Sequence, residues 1–310
     1  MKQKAVKAFD VVELTGLAAL WGASFLFMRL GAAEFGPVAL AAVRVVGASL
    51  CLMPLLVLNG QWSDLRRHWR AIFVVGITNS ALPFLCFTYA ALTVPAGLSA
   101  IFNATTPLFG AVIAWLWLKD RLTPSRVVGL LIGFAGVLWL VWNNVNGSVA
   151  FAAASPGNQM ALATLACLMA TVLYGFSASF TKRFLTGVPP LSVAAGSQVS
   201  ASLLLVVPAM IWWPATMPTV RTWFAAAMLA VACTAIAYLM FFRLIARIGP
   251  AHAISVTFMI PVFAVVWGWM FLGERISATM ALGCLVIVVG TSLATGFVKW
   301  PSSAKPAVSV

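Results

Sequence analysis

The residues of this chain that could do chemistry are few, polar and set inside long apolar blocks. One block carries Thr78-Asn79-Ser80 ahead of Pro83, with Tyr89 further along, and the next carries Asn103, Thr105 and Thr106 around Pro107. Ser24, Tyr174, Tyr238 and Thr257, with Pro261, stand in similar surroundings, and Trp21 and Trp267 lie deep in their blocks. Asn103, Thr106 and Pro107 fall at i, i+3 and i+4, hence on one helical face. A proline removes one backbone hydrogen bond and frees a carbonyl, which polar neighbours or water must then satisfy. Polar groups inside hydrocarbon are costly and tend to line a solute path. The competing reading is that they only tie helices together, at about 0.6 kcal/mol each on average. The aromatic residues would give such a path broad apolar walls with polar edges, which suits amino acids, particularly apolar or aromatic ones.

Two further side chains carry charge chemistry. Arg44 lies seven residues into its block, about 10 Å along a helix axis, where it either holds a substrate carboxylate by a bidentate pair or snorkels to the interface. Counted along the internal repeat described below, its mate is Ser197. His252 opens another block and is a candidate for substrate or proton handling. All six carboxylates (Asp10, Glu13, Glu34, Asp64, Asp120 and Glu274) fall at or near block ends or in loops. No acidic residue is therefore expected at mid-membrane as a proton carrier, and facilitated diffusion or exchange is the expected energetics. There is no HExxH, no paired intramembrane aspartate and no Ser/His constellation, so an intramembrane enzyme is disfavoured. The five cysteines lie in apolar blocks without metal spacing, and neither metal nor cofactor is expected.

The elements that must position these residues follow from composition. Hydrophobic residues make up 63% of 310 and charged residues 8%, against about 45–50% and about 25% in a soluble domain. The apolar blocks are near 20 residues, the length of a membrane-crossing helix. Ten spans can be counted, roughly 12–30, 37–58, 70–92, 96–118, 124–142, 159–181, 190–213, 222–244, 250–272 and 278–298. The expected fold class is an all-α polytopic membrane protein. The net charge of +13 sits in short groups between blocks and forms no continuous face, which argues against a nucleic-acid partner. The first block runs on at spanning length and reads as a retained helix, with no cleavable signal apparent.

The chain also repeats itself. NATTPLFGAVIAWLWLKDR (103–121) returns 154 positions later as TFMIPVFAVVWGWMFLGER (257–275). At an offset of 153, Gly22 pairs with Gly175, Ser24 with Ser177 and Pro37 with Pro190; at 154, Gly129 pairs with Gly283 and Gly136 with Gly290. The halves are 12–142 and 159–298, with five spans each. An odd number per half inverts the second repeat relative to the first. If the N-terminus is cytoplasmic, 15 of the 19 Lys and Arg fall on the inner side and three on the outer, which places both termini in the cytoplasm. The glycines of the fifth and tenth spans offer a face either for contact between halves or for a homodimer.

These features resemble the EamA-type ten-helix members of the drug/metabolite transporter superfamily. The resemblance rests on LWGASF (20–25) and LYGFSASF (173–180), and on the Pro-x-Phe segments that end in Asp120-Arg121 and Glu274-Arg275. Glycine-rich fifth and tenth spans complete it. It implies an inner-membrane exporter of small solutes, amino acids or other metabolites, working by alternating access within the lipid bilayer. The alternative is a carrier of phosphorylated or anionic metabolites, which needs more than one cation facing the cavity.

Overall fold

The computed structural model describes residues 8–151, 157–249 and 253–296, and every regular element among them is a helix. The first, Ala8–Leu58, turns at Gly36 (φ 72°, ψ 162°), which divides it into α1 (8–35) and α2 (37–58). Only glycine adopts that backbone state freely, and Pro37 has no N–H to leave unpaired at the turn. Then come α3 (Trp62–Ala90) and α4 (Ala96–Leu118), α5 (Pro124–Phe151) and α6 (Gly157–Phe184). The rest are α7 (Pro190–Ile211), α8 (Val220–Ile248), α9 (Val256–Leu272) and α10 (Ala278–Ala294). Seven of the continuous helices are long and apolar enough to cross a membrane, while α9 and α10 are shorter and apolar. Large apolar side chains also cover the outer surface, Leu50, Leu131, Leu138, Leu203, Val207 and Leu285 among them. Water would penalise that surface and hydrocarbon accepts it.

The repeated residues make equivalent contacts. A Cβ on Gly22 of α1 would meet Phe263 and Ala264 of α9, and one on Gly175 of α6 would meet Phe109 and Gly110 of α4. Both glycines let a helix pack at backbone distance on its counterpart from the other half. Ser49 and Ser202, 153 positions apart, hydrogen-bond directly at 3.1 Å where α2 meets α7. The α5 and α10 glycines face one another: Gly290 leaves no room for a Cβ against Gly133, and Gly129 none against Ala294 and Gly290. Of the two uses open to the glycine faces of helices 5 and 10, contact between the halves is the one these glycines make.

Two features depart from the sequence-based expectation. α3 and α8 each contain a wide π turn, Ile77–Ala81 and Val231–Ile236, starting 154 residues apart. Such turns are frequent at functional sites. The prolines also differ. Pro107 opens a new helical stretch after the break at Ala104-Thr105, whereas Pro261 sits inside the continuous helix α9. The halves therefore do not share a proline-broken segment.

Candidate functional site

The two π turns bring polar side chains together in the middle of the bundle. Arg44 of α2 donates from Nε to Thr234 Oγ1 at 3.0 Å, and Gln198 of α7 donates from Nε2 to Ser80 Oγ at 2.9 Å. Donors and acceptors are both 154 positions apart, so the halves build the same bond twice, from a second-position helix to the opposite half's π turn. Thr234 donates in turn to the Leu229 carbonyl at 2.7 Å, five residues back in the widened turn. Asn79 donates to the Tyr238 hydroxyl at 3.2 Å, which Ser80 also faces. Ser24 lies beside the Cys233 thiol. Tyr174 and Tyr238 are both within electrostatic reach of Arg44, and Tyr174 stacks on Phe87 at 6.2 Å.

Arg44 does not snorkel: it is only 5% exposed. The Phe84 ring lies 3.7 Å from its guanidinium carbon, and Nη1 points at the Met28 sulfur at 3.7 Å. All six Asp and Glu side chains lie among the described residues, and none forms an ion pair with Arg44. Ser197, its mate by repeat counting, folds its hydroxyl back onto the Ala194 carbonyl and plays no matching part. Gln198 takes that place. The sequence reading passed over it because the repeat register used there, 153, lands one residue short. A glutamine inside an apolar span was the available signal.

The other expected site residues are scattered. Trp21 packs on Phe241 at 5.2 Å, and Trp267 donates its indole N–H to the Ala19 carbonyl at 3.1 Å, so both seal α1 to neighbouring helices. Tyr89 is 36% exposed near the end of α3 and does not join the central group. Thr257 donates to the Ile254 carbonyl just ahead of α9, and Pro261 is buried within α9. Asn103, Thr106 and Pro107 flank the break in α4. There Thr105 donates to the Phe102 carbonyl and Thr291 of α10 to the Ala104 carbonyl, so the break is satisfied by neighbouring hydroxyls. His252 lies outside the described residues.

Charge clusters at the two ends of α4. Lys119 and Gly273 end α4 and α9 in the same left-handed conformation, φ 59° and 65°. The next N–H reaches six residues back in both, Asp120 to Ala114 at 3.2 Å and Glu274 to Gly268 at 3.1 Å, one residue further than in a Schellman cap. Glu274 accepts from the Ala96 and Gly97 N–H groups at 2.9 and 3.4 Å at the start of α4, with Arg29 Nε 4.0 Å away. Asp120, past the other end of α4, pairs with Lys182 at 2.8 Å. Arg29 and Lys182 are 153 positions apart, so these are one lock made twice. The end of α9 meets the start of α4, so those helices run antiparallel, and a helix of 23 residues separates the locks by roughly 35 Å. A further pair, Asp10 and Glu13, is buried against Arg247, with Arg243 also 2.9 Å from Glu13, and joins the start of α1 to the end of α8. These acids lie at span ends as expected, yet they are inside the protein rather than in water.

An apolar helical bundle with its polar groups gathered at its centre is an all-α polytopic membrane protein. The model of the EamA-like transporter family matches residues 12–142 and again 161–296, and the chain belongs to that family. It is similar to the uncharacterized inner membrane transporter YedA of Escherichia coli strain K12, 28% identical over 96% of this chain and 93% of that one. It is also similar to the uncharacterized transporter YvbV of Bacillus subtilis, 24% identical over 93% and 92%. A chain of known crystal structure shares the fold with a TM-score of 0.64, at 21% identity, over 94% of this chain and 98% of that one. The protein is a multi-pass membrane transporter of small solutes, not an enzyme.

Proposed function

We propose that this transporter carries amino-acid-like metabolites out of the cytoplasm by alternating access, through ten crossings in two inverted five-helix repeats, with both termini cytoplasmic. The observation that carries the reading is the pair of π turns, which gather Asn79, Ser80, Thr234 and Tyr238 between the halves. Hydrogen-bonding groups held in the middle of an apolar bundle suit a small polar solute, and Phe84, Phe87 and Tyr174 supply apolar walls beside them. The matched locks at opposite ends of α4 support alternating access, since closing one and opening the other exchanges equivalent contacts. In this reading the Glu274 end faces outward and is the more tightly closed. No carboxylate lies in the polar centre, so movement is driven by the solute gradient or by exchange.

A single embedded cation does not suit a phosphorylated solute. The test is efflux from proteoliposomes across a panel of amino acids and small aromatics. Asn79→Ala and Tyr238→Phe are expected to lower efflux of the transported members about tenfold, with Asn103→Ala milder because it borders the α4 break. If no amino acid moves, or if efflux is unchanged by both central variants, the assignment fails.

A further inference from the structure

The feature left unexplained by helix packing is Arg44. A guanidinium carries five donors in a planar fork. Here Nε is spent on Thr234, Nη1 meets only a thioether, and among the described residues Nη2 has no acceptor. A buried cation without a counter-charge is among the costliest arrangements a protein can hold, more so inside a membrane. The fold nevertheless holds it firmly, with one face against Phe84 and Nε fixed by a threonine that is itself tied to its π turn. The pseudo-equivalent position makes the same bond with Gln198, which is neutral. A fold that needed only this hydrogen bond is served by an amide, as the other half demonstrates. The charge is therefore an addition to one side of an otherwise symmetric centre.

We propose that Arg44 is the anion handle of the solute site, taking one carboxylate on its Nη edge, with the hydroxyls of Tyr174 and Tyr238 beside it. This rests on the reading of the polar centre as a solute site, and it narrows the solute to one bearing a single carboxylate. A bidentate pair on the Nη edge matches carboxylate geometry and supplies the missing counter-charge. The neutral half of the centre, Gln198 with Ser80, offers hydrogen bonds but no second cation, so a doubly charged phosphate leaves one charge unmatched. The amide oxygen Oε1 of Gln198 is buried without a partner and is available to a donor on the same solute.

The test uses the full chain in detergent, with thermal unfolding followed by tryptophan fluorescence. The probes are benzoate against its neutral isostere benzamide, phenylalanine against phenylalaninamide, and inorganic phosphate. Benzoate and phenylalanine are expected to raise the transition in a saturable way, while the amides and phosphate do not. Arg44→Gln, which copies the residue of the other half, is expected to weaken the free acids by ~30-fold or more, and Arg44→Lys by less, since it keeps charge but loses the fork. Equal shifts from benzoate and benzamide, or no shift from either free acid in the unmutated protein, overturn the proposal even if Arg44→Gln fails to fold. Benzoate binding that depends on Arg44, without amino-acid efflux, retains the handle and removes the amino-acid reading. Amino-acid efflux unchanged in Arg44→Gln does the reverse.

Discussion

Glu274 and Asp120 hang from the same kind of cap, face cations 153 positions apart, and are nevertheless in different situations. The Glu274 side chain is 16% exposed and accepts two backbone N–H groups from the start of α4, so it meets a helix dipole as well as Arg29. Asp120 is 38% exposed and its lysine 61% exposed. One lock is built into the protein while the other stands at its surface. Glu34 adds to the imbalance: it accepts the Thr219 N–H at 2.6 Å and ties the end of α1 to the start of α8, and its repeat position holds Gly187. The lesson is that duplicated residues can be held in unequal states by one chain, which is what the proposed alternating access requires.

The largest expected effect breaks the inner-built lock. Glu274→Gln keeps the shape and removes the charge that receives two N–H groups, and should cost about 2 kcal/mol in thermal unfolding. Asp120→Asn, in the solvent-facing copy, should cost under about 0.5 kcal/mol. Charge swaps sharpen the contrast. Lys182→Asp with Asp120→Lys should recover whatever either single change loses, whereas Arg29→Glu with Glu274→Arg should not, because a cation cannot accept from the α4 N-terminus. Recovery by both swaps removes the distinction between the locks.

Next in size is Gly268→Ala, whose Cβ would fall 2.5 Å from a Glu274 carboxylate oxygen. It should destabilise by about 1–2 kcal/mol, while Ala114→Gly, its mate near Asp120, should cost less than about 1 kcal/mol. Smaller still, Lys119→Gly should raise stability by about 0.5–1 kcal/mol, because Lys119 occupies the left-handed state that glycine holds at 273. Unfolding scans of both variants check these signs.

The smallest effect is one of pH. The Thr219 N–H holds the Glu34 carboxyl below its ordinary value of 4.5, with Thr222 and Arg221 acting in the same direction. A depressed carboxylate contributes stability that is present in full above its unfolded pKa and is lost as pH falls through the folded one. Stability should therefore not respond to Glu34 between about pH 6 and 8, and Glu34→Gln should flatten only the acid limb. A difference between wild type and Glu34→Gln that grows from pH 6 to 8 contradicts that assignment.

Much of the architecture was legible because its causes are local. Block length follows from the thickness of hydrocarbon, and Gly22, Gly175 and the glycines of α5 and α10 mark close approaches whichever helix arrives. Arg44 was ambiguous because a long side chain near a helix end can reach either water or the interior, and only the neighbouring helices decide. The π turns left no signal, since one extra residue per turn does not alter hydropathy. Trp21 and Trp267 looked like cavity walls because depth in a span does not reveal which neighbour an indole meets.

The sequence by itself determined an all-helical chain suited to lipid, a duplicated design, and Asp120 with Glu274 as equivalent positions. Those follow from composition, spacing and chain-wise comparison, which need no knowledge of distant contacts. Only the tertiary structure decided that Glu274 reaches the start of α4 while Asp120 meets a surface lysine, and that Arg44 is enclosed without an acid. Such choices depend on which groups from remote parts of the chain arrive within a few ångströms, and two halves of similar sequence meet different neighbours when they fold against each other.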